Sequence, residues 1–207
     1  MENQDVKNGL ALPVMEHFAT IQGEGFHSGK AAYFIRLAGC DVGCHWCDVK
    51  ESWEAEKHPI MNVSAIVDLV MHSGLRICVV TGGEPTLYNL APLTTALQAK
   101  GIATHIETSG TNTLTGNWNW VTFSPKKFKQ PLADVASKAN EIKVIIFNKS
   151  DFEFAEKHQK TVSMQCELFL QPEWSKREEQ MGAIVEYIKL NPRWRVSLQT
   201  HKYLNIP

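Results

Sequence analysis

From residue 31 onward, short apolar runs alternate with stretches whose apolar residues recur at helical spacing. Ala31-Ala32-Tyr33-Phe34-Ile35-Arg36-Leu37 is nearly continuous in apolar residues, the pattern of a strand covered on both faces in a parallel sheet. Asn62 then opens a helix in which Val63, Ile66, Val67, Val70 and Met71 share one face, and Gly74 ends it. The unit repeats. Further strands are predicted at Arg76 to Thr81, Ala103 to Glu107, Trp120 to Ser124, Glu141 to Phe147, Glu167 to Gln171 and Arg193 to Gln199. Helices are predicted from Leu90 to Lys100, near Leu132 to Ala139, from Ser150 to Gln159 and from Lys176 to Asn191. Alternation of this kind predicts an α/β fold with a parallel sheet. Ahead of it, a polar leader passes into a short extended run at Val14 to Thr20.

Polar clusters fall at the ends of these strands. Cys40 follows the first, Gly82-Gly83-Glu84-Pro85 the second, and Glu107-Thr108-Ser109-Gly110 closes the third. Ser124-Pro125-Lys126, Gln171-Pro172-Glu173 and Gln199-Thr200-His201-Lys202 are placed in the same way. In a parallel barrel such positions meet on one rim, at the carboxyl ends of the strands, where barrel enzymes carry their chemistry. Seven strands fall short of an eightfold closure. The expectation is therefore an incomplete, TIM-like α/β barrel forming a single domain over residues 1–207.

Composition narrows the partners. The 207 residues carry 21 basic and 22 acidic side chains, a net charge of −1, which offers no electrostatic footprint for a nucleic-acid duplex or an anionic membrane. The start, Met1-Glu2-Asn3-Gln4-Asp5, lacks the basic and apolar regions of a signal peptide, and no apolar run is long enough for a membrane span. Three of the five cysteines are clustered, which argues for metal chemistry in a reducing, cytoplasmic setting rather than a disulfide framework; Cys78 and Cys166 read as buried core thiols. A small-molecule partner is favoured.

The cluster is Cys40-Asp41-Val42-Gly43-Cys44-His45-Trp46-Cys47, three thiols with no fourth nearby. A closed zinc site needs four protein ligands, and a cubane iron–sulfur cluster has four metal corners. Three cysteines leave one corner for a small chelating molecule. Zinc with His45 as the fourth ligand, and a dithiol redox pair at Cys44 and Cys47, stay open at this point. Elsewhere, Arg36 interrupts an apolar strand and is a candidate for binding a carboxylate, or else a snorkelling side chain at the strand end. Gly23-Glu24-Gly25 suits close backbone approach to a ligand or an ordinary surface loop.

The spacing C-x3-C-x2-C with Trp46 before the last cysteine, followed by Gly82-Gly83-Glu84-Pro85, resembles the signature of the radical S-adenosylmethionine superfamily. The added combination of Ile21-Gln22-Gly23-Glu24-Gly25, Arg36, Asp48, Thr81, Glu107-Thr108-Ser109-Gly110-Thr111, Ser124-Pro125-Lys126 and the end Gln199 to Pro207 resembles the 7-carboxy-7-deazaguanine synthase family, from Glu16 to Pro207. The resemblance implies a 4Fe–4S cluster, S-adenosyl-L-methionine and Mg2+ as cofactors. It further implies ring contraction of 6-carboxy-5,6,7,8-tetrahydropterin, a homodimer, and an electron donor such as flavodoxin. Carried over by position, Cys40, Cys44 and Cys47 would hold the cluster. Trp46, Gly83, Glu84, Ser124, Pro125, Lys126, Gln171, Pro172, Glu173 and Trp174 would contact S-adenosylmethionine. Ile21, Gln22, Gly23, Glu24, Arg36, Thr81 and the carboxylate of Pro207 would meet the pterin, with Glu107 and His201 as candidates for proton movement.

One position departs from the family pattern. Where the family carries a hydroxyl residue that binds magnesium, this chain has Val49, which has no ligand atom to offer. Either the ion rests on substrate, water and Asp48, the expectation held here, or metal dependence is weakened. Two competing readings are a glycyl-radical activase of the same superfamily, which has no reason to end in Gln-Thr-His-Lys, and a non-catalytic zinc-binding module.

Overall fold

In this computed structural model residues 4–207 are described; the start of the chain at Met1, read above for a targeting segment, lies outside the described residues. Among the described residues, one sheet of nine strands organises the chain, in the spatial order β3-β1-β2-β4-β5-β6-β7-β8-β9. Seven of them, β2 (Ala31–Leu37), β4 (Ile77–Gly82), β5 (Ala103–Thr108), β6 (Trp120–Phe123), β7 (Glu141–Ile146), β8 (Glu167–Pro172) and β9 (Trp194–Val196), run parallel and stand where the apolar runs predicted them. The other two are antiparallel: β1 (Ala11–Ile21) lies along β2, and β3 (Ile60–Asn62) along β1.

Strand β1 is longer than the extended run seen in the sequence. Its first four residues are buried while the rest are half-buried or exposed, so one strand carries two burial patterns. A register shift between Val14 and Glu16 marks the change. β9 is shorter than predicted, because the chain leaves the ladder at Ser197 and turns into the short helix α7 (Thr200–Leu204). That helix and α1 (Gln4–Lys7) carry no apolar periodicity that a sequence could reveal.

The helices α2 (Val63–His72), α3 (Ala91–Ala99), α4 (Ala133–Lys138), α5 (Ser150–Gln159) and α6 (Arg177–Leu190) cover the outer face of the sheet. On α2 the buried residues are Val63, Ile66, Val67 and Val70, the face its spacing predicts. They meet Tyr33, Ile35, Leu37, Cys78, Val80 and Ile106 in one large apolar core that continues to Leu168, Leu170 and Trp194. Cys78 and Cys166 sit in it as unpaired, buried thiols. The inner face differs. It holds a small apolar cluster of Ala32, Phe34 and Val79, with Phe18 and Ile77 beside it; elsewhere it mixes polar and charged side chains with single apolar ones such as Ile145.

The sheet curls into an incomplete barrel. Across the gap between its two ends, the loop after β1 meets the segment after β9: Gly25 N–H donates to Ser197 Oγ (3.0 Å), and Thr200 N–H to the Gly23 carbonyl (2.9 Å). No helix among the described residues is long and apolar enough to cross a membrane.

Candidate active site

A cavity of about 260 Å3 opens at the carboxyl ends of the parallel strands. Every strand-end cluster picked out above contributes to its wall, and of the individual site residues expected from the sequence only Pro125 stays off it.

The cysteine loop forms one side. It is closed at its base by Gly39 N–H to the Ser52 carbonyl (2.6 Å) and Cys40 N–H to the Trp53 carbonyl (3.2 Å), with Ser52 fully buried. Cys40, Cys44 and Cys47 all face the cavity, and Val49 N–H points at Cys47 Sγ (3.4 Å). Burial pushes the Cys40 thiol up and the Cys44 thiol up to about 11, the Lys126 ammonium offsetting part of the latter. Among the described residues, no three His, Cys, Asp or Glu side chains form a site for one metal ion. A cubane asks something else of its ligands, since each thiolate binds a different iron; three thiols spread over one wall fit it. His45, the fourth ligand of the zinc alternative, is absent from the cavity wall. Its ring lies edge-on to Phe128 and Phe147, with centroids 5.2 and 5.5 Å away.

The Gly82-Gly83-Glu84-Pro85 turn is fastened to the base of this loop. Gly83 N–H donates to the Leu37 carbonyl (3.0 Å) and Glu84 N–H to the Gly39 carbonyl (2.8 Å). A Cβ at Gly83 would stand 2.2 Å from the Gly39 oxygen and 3.0 Å from Cys40 Cβ, so this glycine lets the two loops touch. Glu84, expected at the cofactor, also has partners within the protein. It lines the cavity, but its two oxygens accept from Thr86 N–H (3.1 Å), Thr86 Oγ1 (2.6 Å), Thr108 Oγ1, Ser109 N–H (2.8 Å) and Ser109 Oγ. A carboxylate so engaged ties the ends of β4 and β5 together.

Ser124, Lys126, Gln171, Pro172, Glu173 and Trp174 also line the cavity. Lys126 Nζ donates to the Ser124 carbonyl (2.8 Å) and sits 5.7 Å from the centre of the Trp46 ring. Burial draws its pKa down. Ser197 Oγ donates to Gln171 Oε1 (2.7 Å), joining β8 to the chain after β9.

The first and last motifs meet over the remaining side. Thr200 Oγ1 and N–H both donate to the Gly23 carbonyl (2.9 Å each), and a Cβ at Gly23 would collide with the His201 ring at 2.2 Å. Thr20 Oγ1 donates to a terminal oxygen of Pro207 (3.2 Å), which brings the end of the chain to the cavity wall. Ile21, Gln22, Glu24, Arg36 and Thr81 line the same region. Arg36 Nε is held by Glu16 (2.5 Å).

The floor is charged. Gln22 Nε2 donates to Glu107 Oε1 (3.0 Å), and the Lys143 ammonium pairs with Glu24 and lies 3.7 Å from Glu107 Oε2. Burial alone would raise the Glu24 carboxyl; the Lys143 ammonium outweighs it and brings the group below its ordinary value. Burial likewise pulls Lys143 down, and the carboxylates of Glu107, Glu24 and Glu141 outweigh it, so its pKa lies above the usual lysine range. Sequence reading missed Lys143, although a signal was present: like Arg36, it is a lone cation inside an apolar strand pattern.

At the magnesium position the donors do not fit. Val49 lines the cavity with a hydrocarbon side chain, and the neighbouring Asp48 carboxylate accepts from Lys202 Nζ (2.7 Å). Burial would raise the Asp48 carboxyl, but its bond to Lys202 holds it below the usual range.

Residues 34–128, which include the cysteine loop and the Gly82–Gly83 turn, match the Radical SAM superfamily. The chain is 56% identical to the 7-carboxy-7-deazaguanine synthase of Flavobacterium psychrophilum, with 98% of this chain and 96% of that one covered. The chain belongs to the 7-carboxy-7-deazaguanine synthase family. The Escherichia coli K12 member is 37% identical, over 95% of this chain and all of the other. The crystal structure of QueE from Escherichia coli superposes with a TM-score of 0.84 at 32% identity, covering 96% of this chain and 98% of that chain. The family's cofactors are a 4Fe–4S cluster, S-adenosylmethionine and Mg2+, and this chain's wall fits the first two by its thiols and its glycine-lined turn.

Proposed function

We propose that this chain converts 6-carboxy-5,6,7,8-tetrahydropterin to 7-carboxy-7-deazaguanine with loss of ammonia, a step toward the 7-deazapurine precursor of queuosine. The reading rests above all on the junction of the first and last motifs, Gly23 with Thr200 and His201, over the cavity that the three cysteines face.

Cys40, Cys44 and Cys47 would hold the cluster. With the cluster and S-adenosylmethionine bound, the chemistry supplied is a 5′-deoxyadenosyl radical that takes hydrogen from carbon 6 of the pterin. The chain's own residues bind and orient. Trp46, Gly83, Ser124, Lys126 and Gln171 to Trp174 line the cofactor side; Glu84 serves it from behind by fixing the turn. Arg36, with Nε engaged by Glu16, has its terminal nitrogens left for the substrate carboxylate, a pairing suited to the planar guanidinium. Thr81, Ile21 to Gly23 and Pro207 line the pterin side, where Glu24 also stands. Glu107, fixed by Gln22, is placed to take or return a proton. His201 is half-buried, and burial lowers its pKa, so near neutral pH its imidazole is uncharged and able to accept one. A magnesium ion here would rest on substrate and water oxygens, because Val49 offers no side-chain oxygen and the neighbouring Asp48 carboxylate is engaged by Lys202.

The working unit is proposed to be a homodimer in the cytoplasm, served by a flavodoxin-type electron donor. Exposed Val196, Leu198, Tyr203 and Leu204 at the open end of the sheet support the dimer, and five unpaired cysteines support a reducing compartment. The test is anaerobic reconstitution and reduction, followed by incubation with S-adenosylmethionine and the carboxytetrahydropterin. 7-Carboxy-7-deazaguanine is the expected product. A protein that holds four irons yet yields neither this product nor 5′-deoxyadenosine would refute the assignment.

A further inference from the structure

Lys143 is a charged group on the cavity floor that neither motif contains, and its surroundings are unusual for a lysine. It projects inward from the middle of β7 with its side chain 5% exposed, between the apolar Ile142 and Val144 that point to the helices. Its ammonium pairs with Glu24, on the loop after β1, and approaches Glu107, at the end of β5. Behind these lies Glu141, whose oxygens accept from Phe26 N–H (2.9 Å) and Thr122 Oγ1 (3.0 Å) and whose pKa burial raises. His201 from α7 and Lys126 from the loop after β6 complete the set of titratable groups that act on Lys143 or on its Glu24 partner. One ammonium thus stands among three carboxylates on a floor where Lys143 and Glu141 are buried and Glu24 is little exposed, and burial favours the protonated form of a carboxylate without a partner.

We propose that Lys143 is a positioning residue for the pterin half of the reaction: its ammonium, paired with Glu24 and 3.7 Å from Glu107, aims both carboxylates at the substrate and pins the first motif to the barrel wall. The inference rests on the functional reading above and adds a residue to it. Glu24 is the joint, since the Lys143 pair fixes the loop whose Gly23 carries Thr200 and His201. Without the ammonium, burial would dominate and Glu24 would protonate at higher pH. The acid limb of the reaction would then move upward.

The holoenzyme tests this as Lys143→Met and Lys143→Arg, followed by the pH profile of pterin conversion and by infrared spectra in the region of protonated carboxyl groups. Lys143→Met is expected to lose about 100-fold in kcat, the scale on which small misplacements act, with its acid limb shifted to higher pH and a new protonated-carboxyl band. Lys143→Arg keeps the limb and lacks the band. Cluster absorbance and S-adenosylmethionine affinity remain in both. A Lys143→Met enzyme with the parent's pH limb and no new band overturns the proposal, as does equal loss of cluster and cofactor binding, which marks a packing role. Should Lys143→Met not fold, the uncharged pair Lys143→Met/Glu24→Gln replaces it: low conversion is expected, and conversion at the parent level overturns the proposal. The infrared band reports on Lys143 whatever the substrate, so an unmodified enzyme inert toward the pterin refutes the assigned reaction while leaving this inference separately decided.

Discussion

The two faces of the barrel sheet are made from the same strands and obey different rules. On β7, Ile142, Val144 and Ile146 point outward, are at most 1% exposed and lie in the helix-covered core. Glu141 and Lys143, their immediate neighbours, point inward and are nearly as buried, but each is charge-paired or hydrogen-bonded to another strand or loop. The same alternation sets Ile35 and Leu37 against Arg36 on β2, and Ile106 against Glu107 on β5. Outward positions need volume and apolarity, which many side chains supply. Inward positions need a particular charge at a particular distance.

The sharpest separation comes from the loop that both faces support. Replacing Cys44 with Ala is expected to abolish product formation, with iron content and broad visible absorption reduced and the circular dichroism of the fold retained; a variant that keeps full turnover would contradict the cluster assignment. Next in size is a paired test across the sheet. Glu107→Gln, which keeps shape and its bond to Gln22, should cost about 100- to 10,000-fold in kcat with little change in Tm. Ile142→Ala should do the reverse, destabilising by about 2–5 kcal/mol while the folded fraction stays active. If both variants lose stability and activity alike, the two faces are not separable.

A smaller effect concerns pH. His105, 7% exposed on the inner face, has its pKa pushed down to about 4 by burial, with charge from His27 adding to it. The unfolded chain therefore binds a proton below about pH 6.5 that the folded chain refuses until about pH 4. Stability is full above the first value and falls through the window between them, by an order of 3 kcal/mol at most. Denaturant unfolding of His105→Phe across that range should show a flatter dependence than the parent. The mildest change is Val49→Thr, which returns a hydroxyl to the cavity wall. The magnesium concentration for half-maximal turnover should drop about tenfold, and an unchanged magnesium titration would mean that the ion never approaches this position.

Legibility in the sequence follows the same division. The seven parallel strands were visible because their core-facing positions are apolar and short strand-length stretches alternate with helical ones, and α5 was visible to its end residues. The cysteine loop and the Gly82–Gly83 turn were visible because local spacing carries their chemistry. β1 was only partly visible: the extended run from Val14 to Thr20 was read, while its buried start at Ala11–Pro13, which contains a proline, was left in the leader. Glu84 was only partly legible, for a different reason. Its place in the motif says that it matters, but only the arrival of Thr108 and Ser109 from the next strand shows that its oxygens are taken.

By itself, then, the sequence determined the repeating unit, the rim on which the polar clusters gather, the spacing of the three clustered cysteines and the family. Each of these is set by neighbours a few residues apart, through strand and helix periodicity or ligand spacing. Tertiary structure alone decided that Gly23 would carry His201, that Lys202 would take Asp48, and that one lysine would stand between Glu24 and Glu107. Those pairs join residues far apart in the chain, and a buried charge reveals its partner only when the barrel has closed around both.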